Sequence, residues 1–203
     1  MSDAKKPIEF WFDFSSPYSY LASERIDELA AKYGRKVKWR AVMIAAAFKV
    51  SGLPFLLTVP LKGEYSKRDI ERSARFLGLP YAFPSRFPVA TLAAARGYYW
   101  LHGQDCGKAR EFAHAVFRAY WVDDRDIGEL PVVLEIADQL GIDRDAFTAA
   151  IATPEIKDRL RQETDAAIAR GMFGVPYIMV DGEPFWGADR LPQIDKWLAT
   201  GGF

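Results

Sequence analysis

From Ile8 to Phe14 the chain alternates, with Ile8, Phe10, Phe12 and Phe14 separated by Glu9, Trp11 and Asp13. A period of two sends successive side chains to opposite faces of an extended backbone, so the segment predicts a strand with one face firmly buried. The alternation stops at Ser15-Ser16-Pro17. Tyr18, Ala22, Ile26, Leu29, Ala30 and Tyr33 then share one stripe at helical spacing, and Gly34 supplies a C-terminal stop. Val37, Trp39 and Ala41, alternating with Lys38 and Arg40, predict a second strand. Strand, helix and strand in this order predict a right-handed crossover and therefore a parallel pair.

Between residues 44 and 152 the period of two disappears and helical stripes follow one another, divided by Gly and Pro. Ser66-Lys67-Arg68-Asp69 has the pattern of a capping box, and Gly78-Leu79-Pro80 closes the helix it opens. Phe112, Val116, Ala119 and Tyr120 form a further stripe, and Leu130, Val133, Leu134 and Ala137 another before Gly141. Thr153-Pro154 reads as an N-cap followed by proline at the first helical position, opening a helix that runs to Arg170 and stops at Gly171. Tyr177 to Val180, Asp181-Gly182 and Pro184-Phe185-Trp186 read as a hairpin, and Asp189 can cap a final helix carrying Leu191, Ile194, Trp197 and Leu198. The expected class is α/β, ordered β-α-β, helical insertion, α-β-β-α. Residues 1–45 and 153–203 form the sheet domain and 46–152 the all-α insertion.

Composition narrows the chemistry. Across 203 residues, 27 Lys and Arg balance 27 Asp and Glu, so no overall field draws the protein to nucleic acid or an anionic membrane. No apolar run is long enough to span a bilayer, and Met1 to Lys6 lead into the first strand without a secretory h-region, so the expected location is the cytoplasm. Cys106 is the only cysteine, which excludes an internal disulfide, a CxxC couple and a zinc site built from several thiolates. His102 and His114 have no flanking ligand pattern, and no metal site is expected. Thiol chemistry in this chain requires a borrowed thiol.

Two points remain. Ser16 lies where a buried strand enters a helix, and there the unpaired N–H groups and the helix dipole favour an anion, although Ser before Pro also serves as a simple cap. Gly174-Val175-Pro176 precedes a strand, where proline can adopt the cis form or merely begin the strand.

The run from Phe12 to Leu21 (FDFSSPYSYL), the later Gly174-Val175-Pro176, and Phe185 to Leu191 (FWGADRL) together resemble the 2-hydroxychromene-2-carboxylate isomerase family. That family is close to kappa-class glutathione transferases and shares the scaffold of bacterial periplasmic disulfide oxidoreductases. The resemblance spans essentially the whole chain, including Lys62-Gly63 and Phe87-Pro88, and implies a thioredoxin-like fold with glutathione as cofactor.

By the resemblance, Ser16 is the catalytic serine whose hydroxyl meets the glutathione sulfur, and the Val175 backbone pairs with the cysteinyl part. Trp186, Gly187, Ala188 and Asp189 surround the glutamyl end, with Asp189 facing the ammonium group. Ala188 departs from the polar residue that relatives often carry there. Lys49 corresponds to the group that holds the carboxylate of the aromatic substrate. Phe87 falls near a tyrosine that contacts substrate in some relatives and lacks its hydroxyl. The implied reaction is isomerisation of a 2-hydroxychromene-2-carboxylate by reversible thiolate addition, in a homodimer. Glutathione conjugation of the kappa type and a redox-inactive thioredoxin-like binding module are the alternatives.

Overall fold

The computed structural model describes residues 6–203. Strand β1 (Ile8–Phe12), helix α1 (Pro17–Lys32) and strand β2 (Val37–Ala41) open the fold, with β1 and β2 parallel and Ile8 opposite Val37. Strand β3 (Tyr177–Val180) pairs antiparallel with the other edge of β1, and β4 (Glu183–Trp186) extends the sheet to the order β2-β1-β3-β4. The β3–β4 reversal uses Asp181 and Gly182 at φ of 54° and 99°, the left-handed pair that a two-residue hairpin of matching twist needs. Arg35 grips that turn from the end of α1, with guanidinium contacts of 3.0 and 2.8 Å to Asp181. Together these elements make a thioredoxin-like sheet.

Between the two halves of the sheet lie α2 (Ile44–Ser51), α3 (Lys62–Leu77), α4 (Leu92–His102), α5 (Cys106–Trp121), α6 (Leu130–Gln139) and α7 (Arg144–Ala152). Helices α8 (Pro154–Ala169) and α9 (Leu191–Thr200) belong to the second half. Helix α2 straddles the boundary drawn at residue 46. The inserted helices share their core with the sheet: Phe12 lies 5.5 Å from Tyr98 and 5.6 Å from Phe117, ring centre to ring centre. The Tyr98 and Tyr99 hydroxyls donate to the carbonyls of Trp39 and Ala41 on β2 at 3.0 and 2.6 Å. Gly97 permits the approach of Phe147, whose ring would lie 2.1 Å from an added Cβ. Sheet and insertion are thus held by one continuous core.

Three local expectations change. The alternation marks only one face as firmly buried, yet Trp11 and Asp13 at the other positions are buried too, because helices cover both faces of this central strand. Trp11 joins a second apolar cluster with Val42, Met172 and Tyr177, and the Arg170 guanidinium lies 4.7 Å from its ring centre. Ser66 does not cap α3. The helix begins a turn earlier, at Lys62, and the Ser66 hydroxyl donates back to the Lys62 carbonyl at 2.7 Å. Asp189 does not cap the final helix either, since a 3-10 turn over Ala188–Arg190 precedes α9 and leaves Asp189 within it.

Candidate active site

The end of β1 is secured by its own polar groups. Asp13 accepts the Ser16 N–H on its backbone carbonyl at 3.0 Å and the Ser15 N–H on its carboxylate at 2.9 Å, which closes a tight turn. The Trp121 indole N–H donates to the Phe14 carbonyl at 2.9 Å from helix α5. Ser16 emerges as the N-cap of α1, with extended dihedrals and Pro17 behind it. Its Oγ accepts the Ser19 N–H at 3.2 Å, satisfying one of the orphan donors of a helix start.

The same hydroxyl donates to the Val175 carbonyl at 3.2 Å, so the two sequence points singled out above, 159 residues apart, touch. The Val175–Pro176 bond is cis. Pro176 offers its carbonyl to the Gly187 N–H at 3.0 Å, which brings the Trp186–Asp189 segment alongside. Gly174 lies under the Trp186 indole, where a Cβ would come within 2.5 Å of the ring nitrogen, and Phe173 packs edge-on against that ring at 4.9 Å. Among the described residues the Val175 N–H has no hydrogen-bond partner.

Ser16 opens onto a cleft of about 1020 Å³. One wall carries Ser16, Val175 and the Trp186–Asp189 segment; the opposite wall is apolar and comes from the α2–α3 region, with Phe48, Leu53, Phe55 and Leu57. Phe87 lines the cleft, half-buried against Phe83 and Trp121. Lys49 does not: it sits exposed on the last turn of α2, while its neighbour Phe48 faces the cleft. Lys62, at the start of α3, is a lining cation, and it has no ion pair among the described residues. Its backbone N–H closes a γ-turn onto Pro60 at 2.7 Å, with Leu61 at φ 63° in the middle.

Electrostatics follow from burial. Tyr18 lines the cleft and donates to Asp69 at 2.9 Å; burial first, and then this hydrogen bond, push its phenol far above the usual range, so it stays protonated. Asp189 is exposed and meets Arg190 at 3.2 Å. Among the described residues no group of three His, Cys, Asp or Glu side chains could hold a metal ion. Cys106 is exposed at the first position of α5 and does not line the cleft. The arrangement is suited to stabilising an anion at the mouth of α1, beside an apolar chamber.

A family model described as a DSBA-like thioredoxin domain matches residues 7–199. The 2-hydroxychromene-2-carboxylate isomerase of Pseudomonas putida is 32% identical over 193 residues, covering 93% of this chain and 92% of that one. The chain belongs to the 2-hydroxychromene-2-carboxylate isomerase family of DsbA-like thioredoxin proteins. A solved structure of such an isomerase superposes with a TM-score of 0.86 at 30% identity, covering 95% of this chain and 94% of that one. Glutathione S-transferase kappa 1 of Homo sapiens is 26% identical, covering 98% and 95% of the two chains.

Within this isomerase-family fold, Ser16, Val175, Trp186, Gly187, Ala188, Asp189 and Phe87 converge on the cleft, and Lys49 stays outside it. Sequence reasoning missed Asp13 and the Tyr18–Asp69 bridge between α1 and α3. It also gave Lys62 no role. Asp13 left one signal: a carboxylate closing an otherwise aromatic strand immediately before Ser-Ser-Pro. The Tyr18–Asp69 pair left none, because its members are 51 residues apart on helices of independent pattern.

Proposed function

We propose that the protein is a glutathione-dependent isomerase of aromatic 2-hydroxychromene-2-carboxylate-type substrates, with Ser16 as its catalytic residue. The single observation that carries this reading is the Ser16 hydroxyl, held between the first turn of α1 and the Val175 carbonyl in a chain whose own cysteine lies elsewhere. The residues fit the tripeptide. The unpartnered Val175 N–H offers a backbone donor for the cysteinyl unit, as in strand addition. Asp189 supplies a carboxylate for an ammonium group, and Lys62 supplies a cation for a carboxylate.

When bound, glutathione supplies a thiolate nucleophile that adds reversibly to a conjugated double bond, permits rotation and is released unchanged. The chain's task is to favour that ionised sulfur. The Ser19 N–H fixes the Ser16 oxygen, so its proton can swing from the Val175 carbonyl to a sulfur without moving the oxygen. Lowering a thiol pKa by one unit from about 8.5 needs about 1.4 kcal/mol. One hydrogen bond to a charged group, worth about 1.5–3 kcal/mol, together with a helix N-terminus, worth about 0.3–1 kcal/mol, is sufficient. The apolar wall of Phe48, Leu53 and Phe55 offers a surface for aromatic rings.

Thiolate absorbance of bound glutathione, followed against pH in wild type and Ser16→Ala, tests the assignment. The expected wild-type midpoint lies at least one unit below that of the free thiol, and removal of the hydroxyl returns it upward by about one unit. A midpoint indifferent to Ser16→Ala overturns the role. Turnover of 2-hydroxychromene-2-carboxylate, followed in the ultraviolet, tests the substrate. Conjugation by the same thiolate is the second reading, favoured by the outward position of Lys49, and a product that retains sulfur would establish it.

A further inference from the structure

Asp13 is buried to 2% exposure with no cationic side chain in contact among the described residues. Its carboxylate nevertheless collects four donors from three parts of the chain. Oδ1 accepts the Ser15 N–H at 2.9 Å, the Ser15 hydroxyl at 2.8 Å and the Thr91 hydroxyl at 3.0 Å. Oδ2 accepts the N–H of Ile44, the first residue of α2, at 2.9 Å. Thr91 stands at the N-cap position of α4, yet its hydroxyl makes no cap bond there and is turned to Asp13. One carboxylate therefore joins the β1–α1 turn to the starts of α2 and α4.

Burying an anion without a counter-charge is costly, and burial pushes this carboxyl upward in pKa while the four donors oppose the shift. Closing a turn needs far less than this, since one neutral acceptor would serve the Ser15 N–H. A catalytic hydroxyl, by contrast, must be held to within about 0.5 Å, which requires supporting groups on rigid elements. We propose that Asp13 is the positioning residue of the active site, fixing the Ser15–Ser16 turn so that the Ser16 hydroxyl is aimed before any ligand arrives. This rests on the glutathione reading above only for its second readout.

Asp13→Asn keeps the size of the side chain but turns an amide N–H toward the Ile44 N–H or toward the Ser15 and Thr91 donors. Hydrogen exchange in the unliganded protein is the first readout. The amides of Ser15, Ser16 and Ile44 should lose at least tenfold protection, while that of Phe10 in the middle of β1 keeps its own. Bound glutathione is the second: its thiolate fraction at neutral pH should fall at least threefold, with Kd within threefold of wild type. The charge of Asp13 acting directly on the sulfur predicts the opposite, a thiolate fraction that rises in Asp13→Asn, and that result overturns the proposal. Unchanged protection at Ser16 overturns it as well. If Asp13→Asn does not fold, Thr91→Val removes one donor from Oδ1 and should move both readouts in the same direction by a smaller factor; no change in either counts against the proposal. A wild-type protein that fails to bind glutathione would sink the functional reading alone, since the exchange experiment still decides the role of Asp13.

Discussion

The two walls of the cleft are built on different principles. On the Ser16 wall, the turn from Asp13 to Ser16 is tied by bonds to its own carboxylate, to Trp121 on α5 and to Val175 just before the neighbouring strand β3. On the opposite wall, the connection between α2 and α3 is held by local turns, and its side chains are only partly covered, Leu53 being 45% exposed. The first wall draws on long-range contacts that a rigid core enforces. The second can vary in sequence at little cost to the fold. On the function proposed above, chemistry that demands a fixed hydroxyl belongs on the first, and the choice of aromatic partner on the second.

The sharpest way to break this contrast is to loosen the Ser16 wall from behind. Trp121→Phe deletes the donor to the buried Phe14 carbonyl and leaves a void at a fully buried site, and should cost about 2–4 kcal/mol by denaturant melts. Next in size, Gly174→Val places side-chain atoms where the Trp186 ring lies and should displace the whole Trp186–Asp189 segment. Calorimetry should then find glutathione bound more than tenfold more weakly, about 1.4 kcal/mol or more.

Phe55→Ala sharpens the contrast from the other side. It removes a ring that packs on Phe48 at 5.1 Å in the apolar wall, and should raise the KM for an aromatic substrate about fivefold while glutathione affinity stays unchanged. A parallel loss of glutathione affinity would mean that the walls are not independent.

The smallest expected effect lies outside the cleft, at the hairpin turn. The hydrogen bonds from Arg35 hold the Asp181 carboxyl below its usual pKa, so the ionised form is favoured in the folded chain. Stability from this pair is full above the unfolded value near pH 4 and is lost as pH falls through the lower folded value. Because Asp181 is 47% exposed, Asp181→Asn should cost only about 0.2–1 kcal/mol at neutral pH, and the difference in melting temperature from wild type should vanish in acid.

Much of the fold was legible because the elements that matter have strong periods. The strands at Phe10 and Trp39, the helix stopped by Gly34, the Thr153-Pro154 start and the Asp181-Gly182 turn all follow from short-range patterning. Ser16 at the strand-to-helix junction was legible for the same reason. The cap at Ser66 was misjudged because Ser and Asp three residues apart occur inside helices too, where serine can bond backward to the preceding turn. The burial of Trp11 and Asp13 was not legible because alternation marks only one buried face, and β1 is central and covered on both. Lys49 and Lys62 both stand on helices bordering the cleft. Which one lines it depends on how α2 and α3 are rotated and packed, and no local pattern encodes that.

By itself the sequence determined the order and type of the elements, the place of a hydroxyl at the first helix start, and the lack of a second thiol, because each depends only on neighbours within a few residues or on a count. Tertiary structure decided that Ser16 meets Val175, that Asp13 gathers donors from Ser15, Ile44 and Thr91, and that Lys62 rather than Lys49 faces the cleft. Those meetings are fixed by how a common core closes over both faces of one sheet, where many distant side chains must fit simultaneously.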